Sequence, residues 1–147
     1  MDRQTEHYRK LERMYLQANV NTQLFESTTI RIAKGEAEIG LRVSEKYYHA
    51  LGAMHGAVYF KLLDDAAFFA VASEVEEVFV LTTSFNLHFV RPVKEGLLRA
   101  EGKVRFTSRQ LYIAEASLYN EAGKEVAFGT GHFGKTRIPL SPDIGYE

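Results

Sequence analysis

Apolar and polar positions alternate with different periods along the chain, and these periods predict its secondary structure. From His55 to Ser73 the sequence HGAVYFKLLDDAAFFAVAS is apolar on nearly every side of a helix and has no glycine after Gly56. A helix that is apolar all round is normally buried at the centre of a domain. The pattern therefore predicts a central helix of about five turns.

A second helix is predicted between Arg3 and Ala18. Large side chains recur on one stripe of this segment, namely Tyr8, Leu11, Met14 and Tyr15. The opposite face is heavily charged and includes His7, which we expect to be exposed and inert. Such a helix is expected to lie on the domain surface, and Asn19 and Asn21 are its predicted stop signals.

The other segments show the period of two that is typical of β-strands. Residues 28–33 and 36–43 flank Lys34-Gly35 and predict a hairpin. Four longer runs follow the central helix, at residues 78–90, 98–106, 111–119 and 125–133. In the first of these runs, the buried face is expected to hold Phe79, Leu81, Phe85, Leu87 and Phe89. Thr82 is expected to point the opposite way.

Together these elements predict an α+β fold. Strands that follow one another with short links favour an antiparallel meander with one buried face, and the central helix is the large apolar element available to cover that face. We therefore expect a curved antiparallel sheet wrapped around one long helix, plus an N-terminal helix. We expect one domain over residues 1–147, with its core at about 25–136 and a loose tail at 137–147.

Composition argues against several classes of protein. The 147 residues carry a formal net charge of −1, so no global field favours nucleic acid or a membrane surface as a partner. The chain has no cysteine, which excludes disulfides, thiolate nucleophiles and thiolate-bound metals. The first residues are polar and no apolar run reaches membrane-spanning length, so we expect a cytoplasmic protein without a signal peptide.

Three charged residues share one face of the central helix: Lys61, Asp64 and Asp65. One interpretation is a solvated seam in which Lys61 pairs with Asp65. The other is that one carboxylate faces an enclosed pocket, where desolvation and positioning make it a base or a nucleophile. At the start of the helix, the small residues Gly56 and Ala57 leave backbone N–H groups open to an incoming oxygen, as an oxyanion site requires.

Other reactive arrangements are absent from the sequence. No histidine pair has metal-ligand spacing with a carboxylate on the same element, so we expect neither a metal nor a cofactor. There is no GxSxG elbow and no glycine loop that could cradle a phosphate. His55 is expected to fix loop geometry through hydrogen bonds, and His88 and His132 are expected to be structural.

The element order and the spacing of these residues resemble the hotdog-fold acyl-CoA thioesterases. The closest resemblance is to the phenylacetate-degradation-type (PaaI-like) branch of the hydroxybenzoyl-CoA thioesterase superfamily. Between about residues 40 and 134, the matching positions are His49, Gly52, His55-Gly56-Ala57, Asp64, Phe89-Val90-Arg91-Pro92, Gly96 and Gly123-Lys124. The branch usually has asparagine in place of His49 and a second glycine in place of Ala57. A neutral imidazole could hydrogen-bond as an asparagine does, or it could mark altered chemistry or lost activity.

The resemblance implies a role for each residue. The catalytic group would be Asp64, His49 and Gly56. In this group Asp64, which the family spacing favours over Asp65, would attack the thioester or activate water. The oxyanion and substrate contacts would come from His55, Ala57 and Thr82. Coenzyme A would lie near Phe89, Arg91, Ser108 and Arg109.

The implied activity is hydrolysis of an acyl-CoA thioester. The alternatives are a non-catalytic acyl-CoA-binding hotdog protein and, with less support, a hotdog dehydratase or hydratase that would use His49.

Helix geometry also predicts a homo-oligomer. Asp64 lies eight residues beyond Gly56, which is about 12 Å along one helix, whereas an attacking group must approach to roughly 3–3.5 Å. Two antiparallel helices related by a two-fold axis could bring these residues together. We therefore expect a dimer with two shared sites, and the resemblance implies that dimers can pair into tetramers.

Overall fold

The predicted central helix is present, and it is the element that contacts every strand. In the computed structural model, which describes residues 1–147, helix α3 spans Gly56–Ala72. His55 caps its N-terminus, since the Nδ1 atom of His55 accepts the backbone N–H of Ala57 at 2.9 Å. Ten of the 17 residues of α3 are buried, as expected for a helix that is apolar on all sides.

The six strands form one antiparallel sheet in the order β1-β2-β4-β5-β6-β3. Their bounds are β1 Thr29–Ala33, β2 Glu36–Arg42, β3 Val78–Phe89, β4 Leu97–Thr107, β5 Tyr112–Tyr119 and β6 Glu125–Pro139. The sheet packs around α3, so the predicted α+β class, with one antiparallel sheet around one long central helix, is confirmed. The prediction of a simple meander is wrong for β3, which pairs with β6 instead of β4. The chain leaves β2, follows α3 and re-enters the sheet at the edge farthest from β1.

Glycine allows α3 to lie directly against the sheet. A Cβ atom added to Gly102 on β4 would stand 2.1 Å from the backbone oxygen of Ala66. Any larger side chain at this position would therefore push the helix away from the strands. This close approach fixes the height above the sheet of the turn that carries Asp64 and Asp65.

A β-bulge at Thr83 changes which side chains of β3 face the helix. Thr82 pairs with Phe133 and Ser84 pairs with His132, so Thr83 is an extra residue in β3. Because strand side chains alternate between faces, one extra residue exchanges the faces on its two sides.

Because of this bulge, the side chains of β3 do not alternate as the sequence predicted. Before the bulge, Val80 is almost fully buried and Thr82 reaches the helix, while Leu81 is 51% exposed. After the bulge, Phe85 packs against Phe60 of α3, with 5.6 Å between the ring centroids. The prediction that Leu81 is buried and that Thr82 faces away is therefore wrong.

Two helices precede the sheet, α1 at Arg3–Gln17 and α2 at Asn19–Leu24. The prediction that His7 is exposed is wrong, because the residue is 3% exposed. Its Nε2 atom lies 2.9 Å from the backbone oxygen of Ala72, and its Nδ1 atom lies 2.7 Å from the hydroxyl of Tyr146. The physical reason is that α1 packs with this side against the C-terminal end of α3.

The C-terminal segment contains regular structure and contacts the rest of the domain, contrary to the prediction. Strand β6 continues to Pro139, and a 3-10 turn follows at Pro142–Ile144. The backbone N–H of Leu140 donates to the backbone oxygen of Glu77, and Tyr146 contacts His7. The prediction of a loose tail at 137–147 is therefore wrong. None of the helices has the length and apolar character needed to span a bilayer.

Candidate active site

Asp64 lies in the middle of α3 and faces a cavity of about 620 Å³. Its Oδ1 atom accepts a hydrogen bond from the hydroxyl of Thr82 at 2.8 Å. The bulge at Thr83 turns the Thr82 side chain toward the helix. The contact between Thr82 and Asp64 therefore depends on the bulge. The cavity walls come from α1, α2, α3, β3 and the C-terminal turn, and their apolar part includes Met14, Val20, Phe68, Phe79 and Ile144.

The surroundings of Asp64 change its proton affinity. Burial raises the pKa of this carboxyl to about 6, and the hydroxyl of Thr82 opposes the rise. The neighbouring charge of Asp65 raises the pKa further, whereas Lys61 lowers it. A carboxyl group with this pKa is ionised at neutral pH and still basic enough to accept a proton in a reaction.

Asp65 is bound by two hydrogen-bond donors and is therefore less available than Asp64 to accept a proton. Its Oδ2 atom accepts bonds from Lys61 Nζ at 2.7 Å and from the Tyr15 hydroxyl at 2.6 Å. The predicted pairing of Lys61 with Asp65 is therefore confirmed. The pair is mostly buried and not a solvated seam, and Asp64, the neighbouring carboxylate, faces the cavity.

We predict that Thr82→Val lowers turnover about tenfold and shifts the acid limb of the pH–rate profile upward. The valine keeps the volume but removes the donor that stabilises the ionised carboxylate of Asp64. Thr83→Val is the matched control, since the Thr83 hydroxyl donates to the backbone oxygen of His132 and not to Asp64. Equal effects of the two variants on the acid limb would contradict the assigned contact.

The N-terminus of α3 offers a free backbone donor at Gly56. The N–H of Gly56 has no hydrogen-bond partner within the chain, as an oxyanion site requires. The N–H of Ala57 instead donates to His55 Nδ1, so the prediction of a second free donor at Ala57 is wrong. The same bond confirms that His55 fixes the local geometry. In the first turn of α3, the N–H of Ala57 is thus occupied and the N–H of Gly56 is available to a ligand.

His49 forms a short local turn of the kind that asparagine often makes. Its Nδ1 atom accepts the backbone N–H of Leu51 at 3.1 Å, two residues further on. An asparagine side-chain oxygen accepts the same i+2 N–H in an Asx-turn. His49 and Gly56 also line one cleft of about 390 Å³ together with Phe89 and Arg91.

We therefore predict that His49→Asn retains or increases the activity of the protein. The asparagine oxygen can replace Nδ1 in the turn, and the amide NH₂ group can then face the cleft. Steady-state kinetics provide the measurement, and His49→Ala, which cannot make the turn bond, is the control. A collapse of kcat at unchanged KM in the asparagine variant would instead show that the imidazole transfers protons.

Within one chain, the predicted site residues fall into two groups. Gly56, His49, Phe89 and Arg91 line one cleft, whereas Asp64 lines the larger cavity. The structure brings Asp64 and Thr82 together, but it separates both of them from Gly56.

The four predicted CoA contacts do not converge in one chain either. Phe89 pairs with Ala127 at one end of the sheet. Ser108 and Arg109 are in the β4–β5 turn at the other end, about 20 Å away along β5. Ser108 also serves that turn, because its hydroxyl donates to the backbone oxygen of Leu111.

Several cavity residues were not predicted as site residues from the sequence. Tyr15 was assigned to helix packing and Asn21 to a helix end, but both line the cavity beside Asp64. The position of Tyr15 on the apolar stripe of α1 indicates that this side chain packs inward. Which residues it contacts is known only from the position of α1 in the fold. No group of three or more His, Asp or Glu side chains is placed to hold a metal ion.

The sequence of the chain matches the family model of the thioesterase superfamily over residues 51–127, which is just over half of its length. The chain belongs to this superfamily. The matched segment contains α3, β3, β4 and β5 and therefore includes Asp64, Gly56 and Thr82.

Two relatives are proteins of Saccharolobus solfataricus that are named as candidate esterases. The first is 27% identical over 90 residues, which is 61% of this chain and 60% of that protein. The second is 20% identical over 130 residues, or 87% of this chain and 93% of that protein.

Several solved structures share the fold of this chain. The Escherichia coli PaaI protein, from the phenylacetic acid degradation operon, superimposes with a TM-score of 0.84 at 20% identity, covering 95% of this chain and 100% of PaaI. A thioesterase from Haemophilus influenzae gives 0.75 at 17% identity, covering 84% and 87%. At these identities the comparison shows the hotdog fold, which the element order predicts, and nothing further about the site.

Proposed function

We propose that this protein hydrolyses an acyl-CoA thioester to a free acid and coenzyme A, with Asp64 as the reacting carboxylate. The observation that supports the proposal most directly is the position of Asp64. It is an otherwise unpaired carboxylate in a mostly apolar cavity, held by one hydroxyl and with a pKa raised by burial to about 6. Membership of the thioesterase superfamily gives the reaction class.

The cavity beside Asp64 is the proposed site of the acyl group. Its wall contains aromatic and aliphatic side chains, and the donors of Lys61 are occupied by other protein groups. An uncharged apolar acyl group would fit this environment better than a charged one, because a buried charge without a partner is costly. The ionised Asp64 would then attack the carbonyl carbon or activate a water molecule for the attack.

The oxyanion donor for the same carbonyl is proposed to come from a second subunit. Strand β3 lies at the edge of the sheet, and two of its apolar side chains, Leu81 and Phe89, are more than half exposed. A long, unpaired edge strand of this kind favours pairing with another chain. Antiparallel pairing of two β3 strands would bring Asp64 and Thr82 of one subunit toward Gly56 of the other.

The same arrangement accounts for the separated CoA contacts. In an antiparallel β3–β3 pair, the β4–β5 turn with Ser108 and Arg109 would approach the Phe89 and Arg91 end of the other subunit. The proposed CoA site is therefore shared between subunits, like the reacting groups. A dimer is the minimal assembly of this proposal, and tetramer formation and a cytoplasmic location remain predictions.

A panel of acyl-CoA substrates with a colorimetric assay of free thiol tests the proposed function. Aromatic, medium-chain and long-chain acyl groups should be included, and activity on some of them is expected to be unaffected by EDTA. Binding of acyl-CoA without thiol release would favour the non-catalytic binding protein. Hydration of an enoyl-CoA without thiol release would favour the hydratase. Activity that EDTA abolishes and zinc restores would contradict the metal-free mechanism.

A further inference from the structure

Four side chains form a closed polar cluster in the wall of the Asp64 cavity. The ammonium group of Lys61 donates to Asp65 Oδ2 at 2.7 Å, to Asn21 Oδ1 at 2.8 Å and to the hydroxyl of Tyr15 at 3.1 Å. The Tyr15 hydroxyl in turn donates to Asp65 Oδ2 at 2.6 Å. All three donors of Lys61 are therefore used within the cluster.

The cluster is largely shielded from water. The side chains of Lys61 and Asp65 are 15% and 20% exposed. The ammonium group of Lys61 lies over two aromatic rings, with Nζ 4.7 Å from the ring centroid of Phe25 and 5.0 Å from that of Tyr15. Charges in such surroundings interact more strongly with their neighbours than charges in water.

Asp64 is the sequence neighbour of Asp65 and lines the same cavity. Four titratable side chains face this cavity: Tyr15 from α1, and Lys61, Asp64 and Asp65 from α3. Strand β3 adds only the neutral hydroxyl of Thr82 close to Asp64. The charges that act on Asp64 at close range are therefore one positive and one negative, and they belong to a single ion pair.

We propose that Lys61 is a positioning residue: by pairing with Asp65 it compensates the charge of that carboxylate, which selects Asp64 as the reacting carboxylate and keeps Asp64 ionised at neutral pH. Tyr15 and Asn21 orient the pair from α1 and α2. This inference rests on the proposed function of Asp64, to which it adds the residues that control it. None of the four residues of the cluster needs to touch the reacting atoms.

Two opposed electrostatic effects make the proposal specific. Without Lys61, the negative charge of Asp65 is no longer compensated, and two carboxyl groups share one partly buried site, so Asp64 holds its proton to higher pH. Without the charge of Asp65, the positive charge of Lys61 is no longer compensated, and Asp64 loses its proton at lower pH. The signs agree with the pKa effects of Asp65, which raises the pKa of Asp64, and of Lys61, which lowers it.

The test measures the pH at which Asp64 is half ionised, in three variants. The ¹³C chemical shift of the Asp64 carboxyl carbon, recorded as a function of pH, gives this midpoint. The resonance is assigned by its loss in Asp64→Asn. Relative to the unaltered protein, Lys61→Met should raise the midpoint by about one pH unit and Asp65→Asn should lower it by about one unit. The double variant, which removes the whole pair, should return the midpoint to near its original value.

A matched control removes one lysine charge at a site outside the cavity. Lys10 on α1 pairs with Glu6 at 3.6 Å and does not line the cavity, so Lys10→Met should leave the midpoint unchanged. A purely structural role for the pair would not give opposite shifts that cancel in the double variant. An unchanged midpoint in either single variant, or shifts of the same sign, would overturn the proposal. If Lys61→Met does not fold, the sign of the shift in Asp65→Asn still decides the outcome.

The acid limb of the pH–rate profile should move in the same direction as the midpoint in each variant. This second measurement separates the two proposals. Absence of thiol release from the unaltered protein with every acyl-CoA would contradict the proposed function, whereas the carboxyl midpoints would still test the ion pair. Thiol release with unchanged midpoints would support the function and overturn the role of the pair.

Discussion

Replacing Asp64 with asparagine should lower kcat by about a thousandfold or more while leaving the fold intact. The asparagine fits the same space and can still accept the hydroxyl of Thr82, but it can neither take up a proton nor attack a carbonyl. No other side chain can take over this role in the cavity, because Asp65 is held by Lys61 and Tyr15. Thiol release from the best acyl-CoA of the substrate panel is the measurement.

The same variant should be more stable than the unaltered protein above pH 7. The folded pKa of Asp64 is about 6 and the ordinary value is 3.8, so the folded state binds this proton more tightly than the unfolded state. The free energy of unfolding therefore falls as pH rises from about 4 to beyond 6. Asparagine does not ionise and avoids this loss, which is on the order of 3 kcal/mol above pH 7. Chemical denaturation at pH 4 and pH 8 should show the gain at pH 8 alone.

Asp65→Asn is the control for both effects. It should lower activity less than Asp64→Asn, because Asp65 acts only through its charge. It should also fail to stabilise the protein at pH 8, because it removes the partner of the partly buried Lys61. A larger loss of activity in Asp65→Asn than in Asp64→Asn would show that the wrong carboxylate has been assigned.

The sequence was sufficient to predict the features that depend on periodicity and local spacing. An apolar stretch with two adjacent acids predicted α3 almost to the residue, and Lys34-Gly35 between two alternating runs predicted the β1–β2 hairpin. The i,i+4 spacing also predicted the Lys61–Asp65 pair. Each of these features is determined by residues within about one helical turn or one strand.

The wrong predictions concern contacts between distant segments and a single extra residue. The burial of His7 depends on Ala72 and Tyr146, which lie far along the chain and carry no local signal. The bulge at Thr83 has no proline or glycine to mark it, yet it determines that Thr82 faces Asp64. The N–H of Ala57 was expected to be free, but the capping bond that it donates to His55 Nδ1 could be identified only from the side-chain rotamer of His55.

Subunit mixing should recover about a quarter of the original activity from two variants that are each nearly inactive. One variant is Asp64→Ala, and the other is Gly56→Val, in which the new side chain would meet the Phe89 ring at 3.2 Å and block the free N–H. If each site combines Asp64 of one subunit with Gly56 of the other, a mixed dimer contains one intact site and one doubly damaged site. Random assembly makes about half of the dimers mixed, which gives roughly a quarter of the sites.

The experiment requires joint unfolding and refolding, with tags of different mass to verify that mixed dimers form. Mixing Asp64→Ala with the control variant Asp64→Asn should give no recovery, because neither subunit then supplies a carboxylate. The separation of Asp64 from Gly56 by eight helical residues, about 12 Å, is the reason to expect complementation, since a single helix cannot present both groups to one carbonyl. Verified mixed dimers of the first pair without activity would mean that each subunit acts alone, and that the free edge of β3 has another purpose.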